Sequence, residues 1–222
     1  MDWQALWLSL RLGGLTVLIL LPLAVLLGRW LATTRVRGRP LIEAALALPL
    51  VLPPTVVGFY LLIAFSPRWW AGDLWRQAFG GTLVFTFEGL LVASVLINVP
   101  FAVQPAQRAF EAIGDELREA AASCGMSWWR ALFKIELPLA WPGILTGIVL
   151  AFAHTLGEFG VVLMVGGNIP GETRTIAVAI YDRVQAFEDA AAGRMAAVLL
   201  TISLFVIALT FVLSQRAGKR RG

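Results

Sequence analysis

Four stretches of this chain carry no charged residue: Leu12 to Gly28, Ala44 to Ser66, Gly89 to Gln107, and Met195 to Gln215. A fifth, Leu137 to Val165, is interrupted only by Glu158. A helix needs about 20 apolar residues to cross the hydrocarbon core of a bilayer. Backbone amides and carbonyls in lipid must find partners within their own segment, so these stretches predict helices. Lipid-facing strands would be shorter and would alternate apolar with polar residues. The expected fold class is an all-α membrane protein, one transmembrane domain over residues 1–222. Its spans are expected at about 6–31, 44–66, 89–107, 137–165 and 195–215.

Composition agrees. The chain is 59% hydrophobic and 14% charged, against about 45–50% and ~25% for a soluble domain. The net charge of +4 would suggest nucleic acid on a soluble protein. Here the basic residues fall mostly in loops between apolar spans, so the bilayer, and no nucleic acid, is the expected partner. One cysteine, Cys124, leaves no internal disulfide and no multi-cysteine metal site. The single histidine, His154, argues equally against a histidine-rich metal site. Met1-Asp2-Trp3-Gln4 lacks a basic region, and the apolar run behind it exceeds a signal-peptide core. It reads as a retained span. The short tail after Gln215 argues against an added regulatory domain.

Arginine and lysine set the expected orientation. Regions 29–39 and 108–136 and the tail after 215 hold four basic residues each. They are Arg29, Arg35, Arg37, Arg39; Arg108, Arg118, Arg130, Lys134; and Arg216, Lys219, Arg220, Arg221. The other six of the 18 lie in the alternate regions. The positive-inside rule then puts the N-terminus outside and the C-terminus and the 108–136 loop in the cytoplasm. Trp69, Trp70 and Trp75 mark the outer interface. Segment 172–188 places Ile176, Ile180, Val184 and Phe187 on one helical face but carries five charges. It is expected as an amphipathic helix at the outer surface. Five spans become six if it enters the membrane.

Prolines punctuate the spans. Pro49, Pro53 and Pro54 lie in the second, Pro100 and Pro105 in the third, Pro138 and Pro142 at the start of the fourth. Each removes a backbone donor and bends or breaks a helix. The pair Pro53-Pro54, followed by Thr55, frees carbonyls that only protein or a water-lined path could satisfy. Gly143 and Gly147 form a small-xxx-small packing pair.

The 108–136 loop reads as a docking device. Glu111 to Ser123 suits a helix, Gly125 a left-handed cap, and Ser127 the cap of a second short helix from Trp128 to Lys134. Ala120, Ala121 and Ala122 allow close backbone approach, and Trp128, Trp129, Leu132 and Phe133 offer an apolar knob. A helix resting on lipid headgroups is the competing reading.

The spacing E-A-A-x3-G-x9-I-x-L-P, Glu119 to Pro138, resembles the EAA loop of ABC importer permeases without a gap. Leu48-Pro49-Leu50-Val51-Leu52-Pro53-Pro54-Thr55-Val56-Val57-Gly58 is similar to molybdate permeases. So are Gly157-Glu158-Phe159-Gly160 and Asn168-Ile169-Pro170-Gly171-Glu172-Thr173-Arg174-Thr175. Sulfate permeases share the first of these two elements. The molybdate permease family that the chain resembles usually carries a basic residue, often Arg, where this chain has His154. The likeness runs from Leu6 to the tail. It implies a type I ABC importer permease fold with a cytoplasmic coupling helix, working as a homodimer in a bacterial inner membrane. Two ATPase subunits would dock at Glu119, Ala120, Ala121, Gly125, Trp129 and Arg130. A soluble oxyanion-binding protein would meet Asn168, Gly171, Glu172 and Arg174. Pro53, Pro54, Thr55, Asn98, His154 and Glu158 would form the gate or pathway. The implied cargo is molybdate, with sulfate or tungstate as alternatives.

His154 and Glu158 share a helix face. An ionisable group within a span costs about 2.5–3.5 kcal/mol on insertion scales. A carboxylate repels an oxyanion, so Glu158 is expected to be structural or gating, accepting backbone hydrogen bonds near Gly157 and Gly160. Ser94, Thr146 and Thr155 could line a polar path with Asn98. The chain has no G-x-x-x-x-G-K-[ST] loop, so no catalytic site and no cofactor is expected in it. ATP and Mg would bind the partner ATPase. Two other classes compete. A stand-alone secondary transporter would couple protons through His154 and Glu158. An intramembrane enzyme would need a nucleophile–base or metal constellation, which one His and one Cys on different elements do not supply.

Overall fold

The computed structural model describes residues 1–219, with side chains described as far as Leu209. Arg220 and Arg221 of the basic tail lie outside the described residues, as do the side chains of Arg216 and Lys219. Every described element is helical. In order they are α1 (Trp3–Thr33), α2 (Arg39–Val51), α3 (Pro54–Phe65), α4 (Trp70–Phe79), α5 (Phe87–Glu111) and α6 (Asp115–Ser123). Then come α7 (Trp128–Ala131), a π turn (Leu132–Glu136), α8 (Leu137–Gly157), α9 (Gly160–Gly166), α10 (Ile176–Gln185) and α11 (Asp189–Lys219). Four helical runs are long and apolar enough to cross a membrane, five if the bent pair α2–α3 counts as one span.

Three of them form the central layer. Leu20 and Ala24 of α1, Ala102 and Ala106 of α5, and Ile144 and Ala151 of α8 are completely buried together. Small residues make this possible. A Cβ added at Gly147 would stand 2.7 Å from the Ala102 carbonyl oxygen, and one at Gly143 2.5 Å from the Ala109 Cβ. With lipid outside, close packing and interhelical hydrogen bonds hold helices together, so these glycines set the α5–α8 distance. Gly147→Val should cost about 1–3 kcal/mol by overpacking. Thermal unfolding in detergent should show a lowered midpoint, while Gly14→Ala, whose Cβ meets nothing within 4 Å, should leave it unchanged.

Two expected spans are not single helices. The stretch 44–66 breaks at Leu52-Pro53, and α2 and α3 meet at 110°. Pro53 and Pro54 supply no amide to the turn before them, so α2 closes on the bond from the Leu52 amide to the Leu48 carbonyl, 3.2 Å. Pro54 then opens α3, where a missing donor costs nothing. The stretch 137–165 breaks too. α8 stops at Gly157, Glu158 is extended (φ −69°, ψ 122°), and α9 restarts at Gly160. α9 packs along α3 in parallel, with Gly160 against Pro54 and Gly58 against Met164. At its other end the same run starts early, being helical without a break from Trp128.

Segment 172–188 differs from the surface helix expected. In α10, Ile176 and Val178 are completely buried. Ile176 packs with Ala5, Leu6 and Met195 of α1 and α11, while Val184 and Phe187 are exposed. The Ile176 amide donates to Ser9 Oγ across 2.8 Å, which fastens α10 to α1. The apolar face of α10 therefore covers protein first. It is too short to cross a membrane.

Candidate functional site

At one end of the bundle α6 projects between α5 and α7. The helix expected over Glu111–Ser123 is interrupted at Ala112–Gly114, so only Asp115–Ser123 forms the free-standing segment. Its C-terminus is closed by a Schellman motif. The Gly125 amide donates to the Ala122 carbonyl (2.9 Å) and the Met126 amide to the Ala121 carbonyl (3.1 Å). Gly125 has φ +72°, which glycine adopts without strain. Glu119, Ala120, Gly125, Trp129 and Arg130 are exposed together on this end. Ala121 is not: it is buried at 5% exposure beside Ile113, Leu117, Ala131 and Ile135. It seats α6 on the bundle rather than facing outward. Trp128, Trp129 and Phe133 form an exposed aromatic ladder, with centroids 4.1 Å and 6.0 Å apart, while Leu132 turns into the core. Ser127 holds the N-cap position of α7 without a side-chain cap bond, and α7 runs on into the π turn instead of ending at Lys134.

Sequence reasoning missed what anchors this end. Glu136, 2% exposed, accepts a two-pronged ion pair from Arg29 of α1, Nε to Oε2 and the terminal nitrogen to Oε1, each 2.8 Å. Arg118 of α6 donates to the Phe110 carbonyl (2.6 Å) in the last turn of α5 and to the Ile113 carbonyl (2.8 Å) just past it. Arg29 and Arg118 register in the sequence only as topology signals. Their partner lies 107 positions from Arg29, and no local pattern links them.

A second polar set lies inside the bundle. The amide of Asn98, fully buried, donates to the Ser94 carbonyl (2.8 Å) and to Thr155 Oγ1 (3.1 Å). Ser94 Oγ bridges Thr155 (3.3 Å) and Thr16 (3.0 Å). Asn98 Oδ1 meets His154 Nδ1 at 3.0 Å, the ring stacks on Phe101, and His154 Nε2 faces Glu158 Oε2 at 3.7 Å. Glu158 Oε1 accepts from the Val161 amide (2.9 Å), so the carboxylate caps α9, one of the roles its sequence context suggests. Thr146 instead donates to the Pro142 carbonyl within its own helix. Pro53, Pro54 and Thr55 are exposed at the start of α3, beside Gly160.

The 168–174 stretch lies at the end opposite α6. Asn168 bridges Asp182 (2.8 Å) and Arg174 (2.6 Å), and Arg174 also reaches Asp2 (4.0 Å). These two side chains are committed within the chain. Gly171 (φ +83°) lies over Gln4. Glu172 is exposed and lines a cavity of about 410 Å³ with Arg11 and Glu88. Among the described residues no His, Cys, Asp and Glu group could hold a metal ion.

A helical bundle with broken spans, an interior polar network and a projecting end helix is the architecture of a membrane-spanning protein, and similarity to known proteins makes it a permease subunit. The chain belongs to the family of binding-protein-dependent transport system inner membrane components, matched over residues 21–219. It is 50% identical over 206 residues to the molybdenum transport system permease protein ModB of Azotobacter vinelandii, covering 93% of this chain and 91% of that one. The ModB protein of Escherichia coli K12 is 36% identical over 100% of this chain and 97% of its own length. The sulfate transport system permease protein CysT of the same organism is 35% identical over 88% of this chain and 70% of its length. The fold matches that in a crystal structure of a bacterial alginate ABC transporter (TM-score 0.76, 20% identity, 96% of this chain and 78% of that one). It also matches the inward-facing MetNI methionine ABC transporter (TM-score 0.70, 16% identity, 97% of this chain and 94% of that one).

Proposed function

We propose that this chain is the membrane subunit of an ATP-driven importer for molybdate, forming the pathway as a homodimer. The projecting α6, capped at Gly125, bonded to the end of α5 through Arg118 and seated on α7 through Ala121, carries this reading: it is a rigid lever for a soluble motor. Two ATPase subunits, which bind ATP and Mg, dock on Glu119, Ala120, Gly125, Trp129 and Arg130, with Ala121 seating the helix behind them. That end is cytoplasmic, as its basic residues favour, and the N-terminus is outside. A soluble oxyanion-binding protein meets the opposite end, where Glu172 and the backbone at Gly171 are accessible and Asn168 and Arg174 shape the loop.

Closure of the ATPases brings the two α6 helices together and rocks the bundles outward. The broken spans give the motion its hinges. α3 and α9 move as one pair because Pro54 and Gly58 interlock with Gly160 and Met164. Pro53, Pro54 and Thr55 line the gate there, and Glu158 holds the start of α9 through the Val161 amide. His154 faces the pathway, and Asn98, fully buried between the helices, holds its ring from behind instead of lining the path. The amide ends of broken helices favour an anion more than carboxylates do.

Molybdate rests on the molybdenum permeases among the relatives. The sulfate permease relative supports sulfate as the alternative within the same mechanism. The test is ATPase activity of the chain reconstituted with its ATPase and binding protein and titrated with molybdate, tungstate and sulfate. Stimulation that requires both binding protein and oxyanion is expected, strongest for molybdate. Uptake without any ATPase would overturn the reading in favour of a stand-alone carrier.

A further inference from the structure

Glu136 is buried at 2% exposure and sits where four elements converge. It ends the π turn, between the exposed aromatic ladder and the core. A π turn holds one residue more than an α turn, which swings the residues after it by about 100°. Trp129 and Phe133 thus face outward while Glu136 faces the bundle. Arg29 brings α1 to the carboxylate, and its guanidinium also lies 4.8 Å from the Trp128 ring centroid. Arg118 brings α6, and its two carbonyl bonds bring the end of α5.

The Arg118 contact is incomplete. Its Nε is 3.8 Å from Glu136 Oε2, too far for a hydrogen bond. Among the described residues it is the one buried side-chain nitrogen or oxygen without a hydrogen-bond partner. Buried donors are ordinarily satisfied. A shift of α6 by less than an ångström along that line would close the bond. Glu136 would then be shared between the arginines of α1 and α6.

We propose that Glu136 is the positioning residue of coupling: displacement of α6 closes Arg118 Nε onto its carboxylate and pulls on α1 through Arg29. This rests on the reading of α6 as the ATPase dock. Glu136 occupies an unspecified position of the I-x-L-P spacing and touches neither ATP nor cargo in this scheme.

The experiment uses the reconstituted complex of permease, ATPase and binding protein, carrying Glu136→Gln or Arg118→Lys. It reads ATPase co-purification, ATP hydrolysis and oxyanion taken up per ATP. Glu136→Gln keeps the shape and removes the charge. It should assemble as the parent does, hydrolyse ATP at no less than the basal rate, and deliver at least tenfold less oxyanion per ATP. Arg118→Lys keeps the charge without the Nε donor and should give an intermediate loss in the same ratio. Parental uptake per ATP in both variants would overturn the proposal. So would assembly, hydrolysis and uptake falling in parallel in both, since that is the mark of a scaffold. A parent complex that assembles no ATPase would instead refute the importer reading on which the proposal depends.

Discussion

Gly125→Pro should abolish recovery of an ATPase subunit with this chain in detergent. Gly125 stands at φ +72°, and proline holds φ near −65°. The substitution also deletes the amide that donates to the Ala122 carbonyl at 2.9 Å, and it disturbs the next bond, from Met126 to Ala121. Both halves of the Schellman motif fail together. The end of α6 unwinds, and Ala121 leaves its seat beside Ile113 and Ile135. Proline in an incompatible position costs about 3 kcal/mol, a roughly hundredfold change in an equilibrium at 1.4 kcal/mol per decade. Gly125→Asn is the control. Asparagine tolerates the left-handed region, so co-purification should stay within about threefold of the parent. Equal ATPase recovery with proline and asparagine would mean that the end of α6 is not the dock.

The second large effect is expected at Glu158, from the contrast between two substitutions. The carboxylate caps α9 by accepting from the Val161 amide, and that residue is buried at 3% exposure. α9 has only seven residues, too few to hold a helix by themselves. Glu158→Ala leaves the buried amide without its partner, a cost of about 1–3 kcal/mol. It frees α9 from its station against Pro54, and uptake should fall at least tenfold with ATPase binding intact. Glu158→Gln retains an oxygen acceptor of the same reach. Uptake should then stay within about threefold of the parent. A carrier that moves protons through His154 and Glu158 would lose uptake with either change, since glutamine cannot titrate. Equal loss in both variants would favour that class.

These predictions draw unequally on sequence and structure. The left-handed cap at Gly125 is legible in the sequence because glycine after an alanine-rich helix has a local reason to be there. The capping role of Glu158 is legible because a carboxylate set in an apolar run must find donors, and Gly157 and Gly160 promise a break. The anchoring of α6 is not. Arg118, Glu136 and Arg29 come from distant segments, and charge counting treats all arginines alike. The burial of Ala121 is equally hidden, because an alanine-rich helix has no strong periodicity to say which face is inward.

By itself the sequence determined the class: uncharged runs of membrane length leave helices as the solution, and the Glu119–Pro138 spacing singles out the end that we propose as the dock. Only the tertiary structure decided where those runs break into working parts. A hydropathy pattern measures transfer from water to lipid, and it is blind to direction. The 44–66 run carries no charge and the 137–165 run only Glu158, yet each holds two helices. The lost proline amides and the Glu158 cap made those breaks tolerable, and packing of α3 on α9 fixed where the second halves went. Segment 172–188 shows the same limit. Its apolar face suits lipid or protein equally, and the Ser9 bond and the α1–α11 groove resolved it in favour of protein.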